Sequence, residues 1–276
     1  MIERFSEDVD LAITSSGLNE AHAAAQAGKS RTQREKLLEA LDTVARREIA
    51  EVYLVGLRER LSHSLGTTEA EGGWKLEIEA GTDDQSIAFW YPRVGAAPAA
   101  MLPYVKLEFG TRSEHEPHQE RPVRPYLADA LPELGLDTTT VRVLGVERTF
   151  WEKATILHAL HHHPAEKILR PRMARHYYDF AQLLDHPLGQ AALRQTDLLP
   201  VVAEHKALYF SSSAARFDEA RLGTLKLLTK PARAAELARD YAAMSAQFFA
   251  TKPRPWPEIV ARIAEAEKGL GELSAG

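Results

Sequence analysis

A change of hydrophobic period at Gly145 constrains the fold of this chain more than any other feature. Before it, short segments such as Trp74–Ile78 and Tyr104–Phe109 alternate apolar and polar residues, a pattern that predicts strands. After it, apolar residues recur every three to four positions, which predicts helices. The sequence therefore predicts an α+β protein with a mixed α/β half at 1–145 and a helical half at 146–276.

The same two periods define the individual elements. In the first half we expect a strand at 4–11, a short helix within 12–30, a long helix at 31–64, strands at 74–78, 86–91, 104–109 and 141–144, and a short helix around 126–134. A polar loop is predicted around His115, Pro117, His118 and Pro122. In the second half we expect helices at 147–162, 172–185, 188–196, 198–209, 214–227, 231–249 and 257–269.

Composition excludes several classes of protein. The 34 basic and 39 acidic residues give a net charge of −5, so any contact with nucleic acid must come from a local basic patch. The chain has no cysteine, which excludes disulfides, thiolate metal sites and cysteine nucleophiles. No apolar run reaches the roughly 18 residues needed to cross a bilayer, and no apolar signal core is present at the start. We therefore expect a cytoplasmic protein.

Two carboxylates lie two residues apart in the first predicted strand. Asp8 and Asp10 project from one face because side chains alternate along a strand, and as anions they need a cation or a proton to coexist there. Glu108 lies on the polar face of another predicted strand, beside Lys106. If the two strands are neighbours, three carboxylates converge as in a Mg²⁺ site for phosphoryl or nucleotidyl transfer. A solvated acidic face is the alternative.

A lysine lies in the apolar stripe of the first helix after Gly145. Lys153 falls between Phe150 and Leu157, and a buried ammonium needs an anionic partner. That partner is an acid of a metal site, a triphosphate, or an acid in a structural salt bridge. In the next helix Asp179 is off the apolar stripe, and periodicity alone predicts an exposed pair with Arg175, one turn earlier.

Two further groups of side chains could bind ligands. His158 and His162 have the i,i+4 spacing of a Zn²⁺ site, but no HExxH motif is present and they lie near a helix C-terminus, so we interpret them as structural. A basic run could hold tRNA or NTP phosphates, or could be a solvated loop. It comprises Lys167, Arg170, Arg172, Arg175 and His176.

Five segments carry specific motifs. In chain order they are RFSEDVDL at 4–11, KLEFGTR at 106–112, VRPY at 123–126, ERTFWEK at 147–153 and RHYYD at 175–179. Together they resemble the AbiEii/AbiGii-type nucleotidyltransferase toxin family, which includes the MenT-like toxins. The resemblance implies a polymerase-β-like nucleotidyltransferase core, with a mixed sheet that lacks its first elements, and a helical C-terminal domain that completes the active site.

The resemblance also implies a function. It implies Mg²⁺-dependent transfer of a nucleotide from NTP to an RNA (tRNA) or protein acceptor. Such a protein would be the toxin of a toxin–antitoxin or phage-defence system, with a cognate antitoxin protein encoded nearby. The tRNA would bind the basic run.

Family positions transfer residue by residue to this chain. The resemblance implies that Lys153 contacts the nucleotide phosphates and that Asp179 orients Lys153 or activates the acceptor hydroxyl. The implied catalytic residues are Asp8, Asp10, Lys153 and Asp179; the metal ligands are Asp8, Asp10 and Glu108; and the nucleotide-binding residues are Lys153 and Arg175.

One part of the family pattern is missing before the first strand. In the family a glycine-rich Gly-Gly/Ser-Thr/Ser turn cradles the NTP phosphates there, whereas here only seven residues precede Asp8 and none is glycine. We expect the true start to lie upstream and the given chain to bind NTP poorly. The alternative is a catalytically inactive remnant that binds a nucleotide, an RNA or a partner protein.

Overall fold

The protein forms two compact units. A computed structural model describes residues 2, 4–6, 8–28, 30–81, 83–92, 95, 103–210, 212–245, 248–249 and 252–273. The sheet unit is Phe5–Glu114, and the helical unit is Met1–Arg4 together with His115–Gly276. The boundary that we predicted after residue 145 lies inside the helical unit, because the strand pair before Gly145 belongs to it. The functional assignment of the predicted domains stays a prediction.

The sheet unit contains one mixed sheet and a set of helices. Its strands are β1 (Asp8–Ala12), β2 (Lys75–Ile78), β3 (Ser86–Trp90) and β4 (Val105–Gly110), in the order β1–β4–β3–β2. Strand β1 pairs parallel with β4, and the other pairs are antiparallel. The helices are α1 (Ser16–Gln26), α2 (Arg31–Glu48), α3 (Leu54–Leu65) and the short α4 (Glu69–Gly72).

Local hydrogen bonds explain where the helices of the sheet unit begin. The Ser15 and Ser30 hydroxyls accept bonds from the free backbone N–H groups in the first turns of α1 and α2. Helix α2 continues through a π-helical turn at Ile49–Tyr53 into α3, so the single long helix that we predicted is confirmed with one local irregularity.

The helical unit begins with a strand pair and continues as helices. The pair is β5 (His118–Val123) with β6 (Thr139–Leu144), joined through the short helix α5 (Leu127–Ala130) and a 3₁₀ turn at Pro132–Leu134. The helices that follow are α6 (Val146–His162), α7 (Ala174–Asp185), α8 (Pro187–Leu193), α9 (Leu198–Tyr209), α10 (Pro231–Ser245) and α11 (Trp256–Leu273). Residues 246 and 247, which fall in the predicted helix at 231–249, lie outside the described residues. No described helix is both long and apolar enough to cross a membrane.

Two element predictions in this unit are wrong. The predicted polar loop contains β5, whose side chains are mostly exposed, so no apolar alternation marks the strand. The helix predicted at 214–227 is instead a series of turns with a 3₁₀ segment at Phe217–Glu219. Positive φ angles at Arg216 and Gly223 interrupt it, and the N–H groups of Leu227 and Leu228 bond the Glu267 carboxylate rather than a helical turn.

Helix α6 is the centre of the helical core. Phe150, Trp151 and Leu157 are fully buried, and the Trp151 indole donates to the Gln195 carbonyl at 2.9 Å. The Phe150 ring lies 4.8 Å from that of Phe180 on α7. These contacts fix the rotation of α6 about its axis, and thereby the direction in which its polar residues point.

His158 is a structural residue of α6. It is fully buried, and its Nδ1 accepts a bond from the Lys226 N–H at 3.0 Å, which leaves Nε2 to donate to the Arg216 carbonyl at 3.0 Å. Burial lowers the pKa of His158, and burial with the neighbouring His158 and His161 lowers the pKa of His162 to about 4. Both nitrogens of His158 are therefore bonded to backbone groups, which supports the structural interpretation over a Zn²⁺ site.

We predict that acid destabilises the protein through these histidines. Below about pH 6.5 a histidine in the unfolded chain binds a proton, whereas the folded protein keeps His158 neutral. Protonation therefore favours the unfolded state, and the free energy of unfolding decreases as the pH falls below this value. Each such histidine contributes a slope of up to about 1.4 kcal/mol per pH unit. Urea unfolding of wild type between pH 7.5 and 5.5 should show this loss, and His158→Gln should reduce its slope. His63→Gln, at an exposed position of α3, is the control, and equal slopes for wild type and His158→Gln would contradict the prediction.

Candidate active site

Three carboxylates meet where β1 and β4 pair in the sheet unit. The parallel register places Asp10 opposite Glu108 and Asp8 opposite Lys106. Because side chains alternate, all four lie on the same face of the sheet. One carboxylate oxygen each from Asp8, Asp10 and Glu108 lies within 4.8 Å of the other two. Strands β1 and β4 are therefore neighbours, which confirms the condition under which we predicted that the three carboxylates converge.

The start of β1 differs from the predicted strand, and the difference bears on this acidic group. The strand begins at Asp8, where pairing with β4 starts, rather than at residue 4. Before it, the Ser6 hydroxyl donates to the Asp8 carboxylate at 2.7 Å. This bond orients the Asp8 carboxylate at the edge of the group.

A lysine lies beside the acidic group and is shared between two glutamates. Lys106 Nζ lies 2.6 Å from Glu108 and 3.1 Å from Glu79. Burial alone would lower the pKa of Lys106, but the hydrogen bonds to Glu108 and Glu79 overcome that effect and raise it. The lysine therefore stays charged and offsets part of the negative charge of the acidic group.

The donor chemistry of the acidic group fits a small hard cation. Mg²⁺ takes oxygen ligands at about 2.1 Å, so two of its ligands lie at most about 4.2 Å apart, slightly closer than the outer limit here. Rotation of exposed or half-buried carboxylates can close this difference. Asp8, Asp10 and Glu108 are thus the described residues that could hold a divalent metal.

The helical unit brings together Lys153, Asp179 and Arg4, a group that we call the Asp179 cluster. Lys153 Nζ donates to Asp179 Oδ2 at 2.6 Å, between α6 and α7. Arg4 Nε donates to Oδ1 at 2.7 Å, and its Nη2 donates to Oδ2 at 2.8 Å. The side chain of Asp179 is fully buried, whereas those of Arg4 and Lys153 keep 14% and 17% of their surface exposed. The anionic partner that we predicted for Lys153 is therefore Asp179, on the neighbouring helix α7.

Positive charge dominates the surroundings of the Asp179 cluster. Burial would raise the pKa of Asp179, but the hydrogen bond from Arg4 and the charges of Lys153 and Arg4 lower it. Burial, followed by the charges of Lys153 and Arg175, holds the pKa of His176 well below its usual value. Asp179 is therefore ionised and His176 neutral at pH 7.

The structure corrects one prediction about α7 and adds a residue to the cluster. Periodicity alone placed Asp179 on an exposed face, paired with Arg175, but Asp179 is fully buried and bonds Lys153 and Arg4. Arg175 is half-buried near His176. Arg4 was not among the residues singled out from the sequence; its place in the RFSEDVDL segment was the signal that could have found it.

Three residues of the basic run lie in an exposed connection before α7, whereas Arg175 and His176 lie within that helix. Lys167, Arg170 and Arg172 are exposed, and Arg172 has a φ of 68°. The Asp240 carboxylate accepts from the Arg172 N–H at 2.6 Å and from the Ala174 N–H at 2.8 Å, which holds this backbone at the start of α7. The guanidinium of Arg172 lies 5.4 Å from the centre of the Phe248 ring. Lys167, Arg170 and Arg172 thus form a cationic surface that is not part of a helix.

Comparison with known proteins assigns the chain to a family. The sequence model described as "Nucleotidyl transferase AbiEii toxin, Type IV TA system" matches residues 1–262 of the 276. No curated protein and no solved structure gives a match. The family implies an NTP substrate and a cognate antitoxin. The match spans both compact units, and with it the acidic group, the Asp179 cluster and the basic run. The chain therefore belongs to the AbiEii family of nucleotidyl transferase toxins of type IV toxin–antitoxin systems.

Proposed function

We propose that this protein is a Mg²⁺-dependent nucleotidyltransferase that transfers a nucleotide from NTP to an RNA acceptor, with tRNA as the favoured class. The observation that carries the proposal is the convergence of Asp8, Asp10 and Glu108 on paired strands. Such a set suits a metal that binds both the carboxylates and the substrate phosphates. We further assign the sheet unit to the polymerase-β-like type of core, since β1 and β4 carry the acids in the arrangement expected of it.

The proposed reaction is a substitution at phosphorus. A hydroxyl oxygen of the acceptor forms a bond to the α-phosphorus of the NTP, and the bond between that phosphorus and the α–β bridging oxygen breaks. Pyrophosphate leaves with the bonding electrons, and the hydroxyl proton passes to solvent. A divalent metal bound at the acidic group would supply positive charge to offset the charge that develops on the phosphate oxygens. Asp8, Asp10 and Glu108 would hold it in place.

Lys153 is proposed to contact the phosphates of the NTP, with Arg175 as a second nucleotide-binding residue. An ammonium held by a buried carboxylate has a fixed position, so it can stabilise developing charge without reorganisation. Asp179 belongs to the same reaction because it determines where that ammonium lies.

The toxin is proposed to act on the RNA of its own cell and to be opposed by an antitoxin protein encoded nearby. Lys167, Arg170 and Arg172 support an RNA acceptor, because they are exposed cations on a chain whose net charge is −5. Arg175 completes this basic run, and the proposed site of action is the cytoplasm.

We predict that a single substitution in the acidic group or in the Asp179 cluster strongly lowers nucleotide transfer. Purified protein is incubated with each radiolabelled NTP, Mg²⁺ and total tRNA, and label in RNA is measured. Asp10→Asn removes a metal-binding charge and Lys153→Ala removes a phosphate contact, so each should lower turnover by about 100-fold or more. Omission of Mg²⁺ with a chelator should have a similar effect.

Two substitutions of exposed residues serve as controls for this experiment. Glu59→Gln on α3 and Lys36→Ala on α2 change the same charges outside both groups, and each should retain wild-type turnover. Two results would contradict the catalytic assignment: no label transfer by the wild-type protein, or transfer that persists in Asp10→Asn and Lys153→Ala. Either result would favour a nucleotide- or RNA-binding remnant.

A second prediction concerns the basic run. If Lys167 and Arg170 contact phosphates, the double substitution Lys167→Ala/Arg170→Ala should reduce the slope of log affinity against log salt for tRNA by about 1.5. Lys252→Ala/Lys268→Ala removes two exposed cations elsewhere in the helical unit and should leave the slope unchanged. Equal slopes for the two double variants, measured by filter binding between low and physiological salt, would rule out this RNA-binding surface.

A further inference from the structure

We propose that Arg4 is a positioning residue of the transfer reaction, acting by fixing the Asp179 carboxylate that holds Lys153. This inference rests on the proposed function. It adds a residue to the site, and it assigns Asp179 to the positioning of Lys153 rather than to activation of the acceptor hydroxyl.

The geometry of the Arg4 bonds supports this role. Nε and Nη2 of one guanidinium bond the two oxygens of Asp179 at 2.7 and 2.8 Å. Such a bidentate pair fixes the plane of the carboxylate as well as its distance. Once that plane is fixed, Oδ2 points in one direction, and it accepts the hydrogen bond that Lys153 Nζ donates at 2.6 Å.

Asp179 has neither the access nor the free oxygen that a general base requires. Its side chain is fully buried, and each oxygen already accepts a charge-assisted bond. A base must lie within hydrogen-bond reach of the hydroxyl proton and bind it. The lowered pKa of Asp179 agrees with a carboxylate that stays ionised and bonded throughout.

In sequence, Arg4 is far from Asp179 and shortly precedes the acidic strand β1. The bond joins residues 175 positions apart, and Arg4 precedes Asp8 by four positions. Arg4 itself lies outside the regular helices and strands. Within the described part of the chain, Arg4 thus bonds the same carboxylate that bonds Lys153.

The same helix supplies a matched control pair. Asp185, at the end of α7, accepts from Arg254 and Arg262 at 2.6 Å each. Its side chain is 43% exposed, and within the described part of the chain its ion-pair partners are arginines rather than a lysine. Arg262→Gln thus removes an arginine from an α7 aspartate without affecting Lys153, and it should leave turnover unchanged.

The test compares kcat and KM for NTP in five proteins: wild type, Arg4→Gln, Asp179→Asn, the double variant Arg4→Gln/Asp179→Asn, and Arg262→Gln. We expect Arg4→Gln to lower kcat by about 10- to 100-fold, because a displaced ammonium no longer meets the developing charge. In the Asp179→Asn background, adding Arg4→Gln should change kcat by less than about twofold, since two residues that act through one contact are not additive.

A second variant and an independent measurement exclude loss of folding as the cause. Arg4→Lys keeps the positive charge but loses the planar guanidinium that bonds both oxygens of Asp179. Its kcat should therefore lie between those of wild type and Arg4→Gln. Assays are run below the melting temperature of each variant. In ¹³C NMR titrations, Arg4→Gln should raise the pKa of Asp179, whether or not the protein is active. If Arg4→Gln does not fold, the kcat of Arg4→Lys decides the test.

Three kinetic results would overturn the inference alone: an Arg4→Gln kcat within twofold of wild type, losses that multiply in the double variant, or an equal loss in Arg262→Gln. Wild-type protein that transfers no nucleotide overturns the proposed function as well. An unchanged Asp179 titration in Arg4→Gln also contradicts the inference, because Arg4 would then not act on that carboxylate.

Discussion

The helical unit depends on how one buried negative charge is neutralised. Asp179 has no exposed surface, and its ionised form is maintained by a bidentate bond from Arg4 and a bond from Lys153. Removing one partner of a buried ion pair typically costs about 3–5 kcal/mol, because the other charge stays buried without compensation. Helices α6 and α7 must therefore keep the rotation that brings Lys153 to Asp179, and the aromatic packing of Phe150 and Phe180 maintains that rotation.

The acidic group of the sheet unit is subject to the opposite constraint. Asp8, Asp10 and Glu108 repel one another, and they are kept together by the parallel ladder of β1 and β4 rather than by attraction between them. Lys106 offsets part of this charge through its contact with Glu108. Carboxylates that backbone hydrogen bonds hold this close suit a hard cation, which is the physical basis of the proposed metal site.

Sequence reasoning succeeded where a single periodic pattern carried the information. The long helix at 31–64, the convergence of Glu108 with the first strand and the requirement for a partner of Lys153 all follow from side-chain direction within one element. It failed at 214–227, where apolar spacing predicted a helix. There the backbone bonds side chains of other elements, including His158 and Glu267, and no local pattern reports such bonds. It also missed β5, a strand with little buried surface.

The sequence by itself determined the fold class, the two acidic strands, the family motifs and the demand for a counter-charge on α6, because each is a property of residue type and spacing. Only the tertiary structure decided which residues meet. It placed Asp179 in the core although its own helix predicts an exposed position, and it bonded Asp179 to Arg4, 175 residues away. Burial and pairing at such sequence separations depend on how distant elements pack against each other. The hydrophobic period of one helix contains no information about that packing.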